Sequence, residues 1–147
     1  MSQLTFTDST LPVSKKLHTL LSERYVTELL DNEALATSAY MVFNFRDKDY
    51  SAEAGGFHPV EIAICHSSTG QWNIEHITDF AYAGNHYPEL ERHLDFDFRV
   101  SQFFIAYQGW MPMIGSHEAR ELYQLWESNF MAYVDMGVFD EITLTPQ

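Results

Sequence analysis

Two apolar-alternating runs separated by a short turn-forming segment constrain this chain more than any other stretch. Val60-Glu61-Ile62-Ala63-Ile64-Cys65-His66 and Trp72-Asn73-Ile74-Glu75-His76-Ile77-Thr78-Asp79-Phe80 flank Ser67-Ser68-Thr69-Gly70-Gln71. Pro59 fixes the entry to the first run, and Gly70 supplies a residue that tolerates positive φ, so the segment reads as a β-hairpin. Alternation recurs on both sides. Tyr40, Val42 and Asn44 alternate with Met41, Phe43 and Phe45, and Leu94, Phe96 and Phe98 alternate with Asp95, Asp97 and Arg99. Gln102 to Gln108 reads as a further aromatic strand, ended by Gly109-Trp110-Met111-Pro112. Tyr87-Pro88-Glu89-Leu90-Glu91 reads as a helical turn.

Near both ends the period changes. Leu17, Leu20, Leu21, Tyr25 and Leu29 follow Ser14 at spacings of three and four, a capped helix that ends between Asp31 and Ala36. Ala119, Leu122, Tyr123, Trp126, Phe130 and Tyr133 form a second stripe behind Ser116, with Glu118 in the first turn and Gly137 as a left-handed stop. Val138 to Leu144 suits a closing strand, and residues 1–13, with Pro12, read as a mobile lead-in. Strands joined by hairpin-length links form an antiparallel sheet, so the class is α+β in a single domain spanning residues 1–147.

Charge narrows the function classes. Residues 1–50 carry seven acids and five bases, whereas residues 51–147 carry fourteen acids against Arg92, Arg99 and Arg120. The net charge of −13 repels phosphate backbones and anionic lipid and attracts basic partners or cations. The expectation is a basic protein partner, no nucleic acid and no membrane. Lone Cys65 forms no internal disulfide and reads as a small buried residue. No apolar run reaches a membrane-spanning length of roughly 18 residues, and Met1 to Phe6 lack a signal-peptide pattern. Cytoplasmic residence is therefore expected.

Recognised catalytic patterns are missing. His117-Glu118-Ala119-Arg120-Glu121 has Glu121 where a zinc-protease helix needs its second histidine. His93, Asp95, Asp97 and Arg99 share one strand face by period two, suited to gripping a cation or simply to a solvated face. His76 and Asp79 differ in parity and should point to opposite sides. Glu75, Asp79, Asp95 and Asp97 are the candidate acidic partner-binding face, with no catalytic, cofactor or metal residues expected. The leading expectation is a non-enzymatic acidic binding protein. A proton-transfer enzyme with a pocket in a curved sheet is one alternative. It would require a histidine or carboxylate among inward positions that otherwise read as Phe, Ile, Leu and Trp. A DNA-mimicking decoy is the other.

The segments Phe43 to Asp47, Tyr50 to Ile62 and Ile77 to Tyr82, continued by Leu125 to Phe130 and Gly137 to Ile142, resemble an uncharacterised family. It is a domain of unknown function from Vibrio and related marine bacteria, found partly on pathogenicity islands. That family is similar in fold to the acidic mitochondrial matrix protein that binds the globular heads of complement. The resemblance implies a twisted antiparallel sheet of about seven strands, flanked by N-terminal and C-terminal helices. It also implies a trimer as the homo-oligomer, and no active site.

Overall fold

The hairpin stands at the centre of the molecule, a computed structural model that describes residues 3–147. In chain order the elements are α1 (Lys15–Leu29), a short 3-10 helix (Glu33–Thr37), β1 (Tyr40–Arg46), β2 (Val60–His66), β3 (Trp72–Ala83) and β4 (Glu89–Asp97), followed by β5 (Gln102–Ile105), β6 (Gly109–Pro112), α2 (His117–Asp135) and β7 (Glu141–Pro146). The strands form one seven-stranded sheet in the order β6-β5-β4-β3-β2-β1-β7, every neighbouring pair antiparallel. The fold is α+β, with one helix before the sheet and one before its last strand.

Cross-strand partners share a face, so the register defines both sides. Phe43, Ile62, Ile77, Phe96 and Phe103 stand opposite one another in a row and are all buried. Leu17, Leu21 and Tyr25 of α1 join the same core, as do Ala119, Tyr123, Trp126 and Phe130 of α2. Burying each large apolar side chain contributes about 1.5–3 kcal/mol relative to leaving it exposed. The adjacent row, Asn44, Glu61, Thr78, Asp95, Phe104 and Trp110, faces the other way.

Local chemistry accounts for the ends of the helices. The hydroxyls of Ser14 and Ser116 accept from the amides of Leu17 and Ala119. Gly137, at φ +75, lets its own amide donate to Val134 O and that of Val138 to Tyr133 O, closing α2 with left-handed geometry. Glu127 ties the helices together: its buried carboxylate accepts from the Ser14 amide and the Tyr123 hydroxyl. Burial beside Glu127 pushes the Tyr123 hydroxyl far above its ordinary range.

Four expectations change. Met1 and Ser2, at the start of the expected lead-in, lie outside the described residues, but the rest of that segment packs down. Leu4 and Leu11 are buried, and Thr5 and Thr7 exchange backbone hydrogen bonds with Trp72. The turn expected at Tyr87–Glu91 is largely strand, because Glu89 to Arg92 pair with the far end of β3. Gly109–Pro112 continues the sheet as β6, beyond a tight turn with Tyr107 at φ +70. Helix α1 stops at Leu29, and a separate 3-10 turn, capped by Asn32, follows it.

Candidate functional site

Period two along β3 sends Asp79 to the same side as Ile77, into the helix-covered face. An acid there needs donors, since a carboxylate buried without them is costly. Two are present. Asp79 Oδ1 lies 2.7 Å from His58 Nδ1, and Oδ2 accepts from Trp126 Nε1 at 3.0 Å. Pro59 and the strand that follows it fix His58, while Asp47 Oδ2 holds the preceding loop by accepting from the Phe57 amide. Gly56 is required in that loop. Its φ is +132, and a Cβ would sit 2.8 Å from Asp47 Oδ2.

The couple lines a cavity of about 300 Å³ between α2 and the sheet. His58, Asp79, His93 and Asn129 supply its polar groups, and Phe57, Trp126, Phe130, Tyr133 and Phe139 its aromatic wall. The His58 side chain is 36% exposed and that of Asp79 12% exposed. Hydrogen bonding to Asp79 raises the His58 pKa above its ordinary value, against the opposing effect of burial. An acceptor at Nδ1 places the proton there, so neutral His58 keeps an acceptor lone pair on Nε2.

His93 reaches this cavity through a β-bulge. Asp79 pairs with Leu94 and Phe80 with Arg92, which leaves His93 as the extra residue. Its ring packs edge-on against His58, with centroids 5.2 Å apart. The expected row of His93, Asp95, Asp97 and Arg99 is therefore broken at its first member. Asp97 instead accepts from the amides of Arg99 and Val100 in the turn that follows β4.

The four candidate acids do not make one surface. Asp79 is buried against α2, while Asp95 is buried on the opposite face, where its Oδ2 accepts from Thr78 Oγ1 and Arg92 Nε. Burial raises the Asp95 pKa, opposed by these two donors. Glu75 and Asp97 remain half-exposed. Glu75 occupies the other bulge, where pairing shifts between Ala63 and Ile64. His76 and Asp79 do point to opposite faces. His76 Nε2 lies 2.8 Å from Glu61 Oε2, and this contact raises the His76 pKa and lowers that of Glu61. Cys65 is half-buried rather than buried. His117 and Glu121 are exposed, 3.6 Å apart.

A different set of acids converges. Antiparallel pairing brings the end of β1 together with the ends of the other central strands: Arg46 stands opposite Glu141, and Ala83 opposite Glu89. That end carries Asp47, Asp49, Glu53, Glu89, Glu91, Asp140 and Glu141, all exposed except half-buried Asp47. Arg46, Lys48 and Arg92 are the bases beside them. Carboxylate oxygens of Asp47, Asp49 and Asp140 lie within 4.8 Å of one another, close enough to share a cation. Two of these side chains already hold the loop, accepting from the amides of Asp49, Phe57 and Lys48.

The model of a family described as protein of unknown function (DUF2787) matches residues 15–145. The chain belongs to that family. Among solved structures it is similar to the hypothetical protein VC0508 of the Vibrio cholerae VSP-II pathogenicity island. The two share 68% identity over 99% of this chain and 100% of that one, with a TM-score of 0.92. It is also similar to the conserved hypothetical protein VC1805 of the V. cholerae pathogenicity island VPI-2. Identity there is 56% over 95% of this chain and 99% of that one, with a TM-score of 0.81, and VC1805 is described as sharing structural homology with the human P32 protein. The search of curated proteins gave no match. Among the described residues, no helix is long and apolar enough to cross a membrane.

Sequence reasoning missed the partners of Asp79. The signal was present in part, because Asp79 shares the parity of inward-facing Ile74-side residues only once the bulge at Glu75 is counted, and it matches Ile77 directly. His58 and Trp126 carry no spacing that connects them to it, since they stand 21 and 47 positions away in the numbering.

Proposed function

We propose that the protein acts by binding and that it docks a basic protein partner through the acidic end of its sheet; the His58–Asp79 couple meets the requirement of the proton-transfer alternative, which is the second reading. One observation carries the docking reading: seven acids and three bases meet where the loop after β1, the start of β4 and the approach to β7 come together. Such a field steers cationic partners and speeds their association. Exposed Tyr82, Tyr87 and Leu90 at the same end offer apolar area beside the charge, and tyrosine is enriched at protein interfaces.

Capture of a polylysine peptide on the immobilised protein tests it. Binding at low salt should disappear near 1 M salt, where the screening length is roughly 3 Å. A double charge reversal, Asp140→Lys with Glu141→Lys, should weaken capture while a reversal on α2, Glu121→Lys, leaves it nearly unchanged. Capture that persists at high salt, or that ignores the first pair, removes the docking surface from consideration. Sedimentation on the same samples establishes whether the docking species is a monomer or the trimer that the family resemblance implies.

A further inference from the structure

The cavity at His58 adjoins the acidic end, since Gly56 and Phe57 line it beside Asp47 and Phe139 lines it next to Asp140, but it holds its own chemistry. Asp79 already has a protein partner on each oxygen, His58 on one and Trp126 on the other. Its contribution is a negative charge and the orientation of His58. The Nε2 of His58 has no protein partner among the described residues, and the ring lines the cavity. Among the described residues, no lysine or arginine lines it.

We propose that this cavity binds a small organic ammonium, whose N–H donates to His58 Nε2 while its carbon body lies among Phe57, Trp126 and Tyr133. Three observations favour a cation over an anion. With neutral His58 the cavity contains one carboxylate and no fixed positive charge. The protein as a whole carries a net charge of −13, a field that concentrates cations. Five aromatic residues form the wall, and aromatic faces attract ammonium groups. A volume of about 300 Å³ lies at the small end of ligand sites, which suits a single ring or a short branched chain.

Ammonium binding excludes a proton from Nε2. The groups around His58 are Asp79 on β3, His93 on β4, Tyr50 in the loop after β1 and Tyr133 across the cavity on α2. Asp79 raises the His58 pKa. Affinity for the ammonium should therefore rise with pH as His58 loses its proton. A carboxylate ligand would show the opposite slope.

Calorimetry and NMR titration with phenethylamine, phenethyl alcohol and hydrocinnamate test the assignment on three bodies of similar size and different charge. The expected order is amine, then alcohol roughly tenfold weaker, with no binding of the carboxylate. Amine binding should shift the His58 ring and Trp126 indole N–H resonances and strengthen between about pH 5 and about pH 8. Asp79→Asn should weaken it roughly tenfold or more, since hydrogen bonds to charged groups are the stronger class. If that variant does not fold, the wild-type pH slope and a Tyr133→Ala variant with weakened amine binding serve in its place. The proposal is overturned by equal or tighter carboxylate binding, by amine affinity that is flat or falls with pH, by amine binding unaltered in a folded Asp79→Asn protein, or by no binding of any of the three.

Discussion

Replacing Asp79 by Asn separates the two jobs of that side chain. The Asn carbonyl can still accept from Trp126 Nε1, so the buried indole keeps a partner. Its amide then faces His58 Nδ1 as a donor, which requires that nitrogen to be an unprotonated acceptor. The variant therefore loses the interaction that favours imidazolium. In the wild type the folded His58 pKa lies above the unfolded value of 6.5, so folding binds a proton. The stabilisation is fully present below the unfolded value and is lost as pH rises through the folded one. Hydrogen bonds to charged groups contribute about 1.5–3 kcal/mol. Because His58 is 36% exposed, solvent screening reduces the expected share to about 1 kcal/mol. Urea unfolding at about pH 5 and about pH 8 should show the wild type ahead by about 1 kcal/mol at the lower pH and by much less at the higher. The His76–Glu61 couple titrates in both proteins and cancels from the difference. A gap that is constant with pH, or wider at the higher pH, would refute the argument.

Two further substitutions probe the frame around the cavity. Glu127→Ala strips the Ser14 amide and the buried Tyr123 hydroxyl of their acceptor and should destabilise the fold by about 2 kcal/mol in denaturant titration. Gly56→Ala forces a Cβ against Asp47 Oδ2 and the Tyr50 backbone at φ +132, and should cost about 1–3 kcal/mol in the same assay. It should also shift the His58 resonances, because the loop it distorts carries that ring.

The hairpin and both helices were legible because each rests on local rules. Period two with a glycine-bearing loop specifies β2 and β3, and a serine ahead of a three-and-four stripe specifies each helix. Pairing partners distant in sequence are what the local rules omit. Glu89 to Arg92 are exposed and follow a proline, so nothing in them announces a strand; the extended end of β3 makes them one. Leu4 and Leu11 are buried from within a polar segment, and the partners that hold the chain around Leu4, Trp72 and Ser22, lie far along the sequence. Gly109–Pro112 reads as a terminator yet pairs with β5, at the edge of the sheet where a proline's missing donor does little harm.

The site was illegible for a sharper reason. Strict alternation puts His93 with Asp95 and Asp97, and one extra residue in the ladder opposite Asp79 undoes it. The same bulge brings Arg92 and Asp95, three positions apart, onto one face, where they meet at 2.9 Å. It delivers His93 to the other face, against His58. A single inserted residue thus separates two polar systems that the sequence shows as one row. Net charge is equally misleading at this scale. Asp79, Asp95 and Glu127 are committed to internal donors, Trp126, Thr78 and Tyr123 among them. The acids left to act on a partner are those that the ends of the strands carry to the surface, and their grouping follows from topology rather than from proximity in the chain.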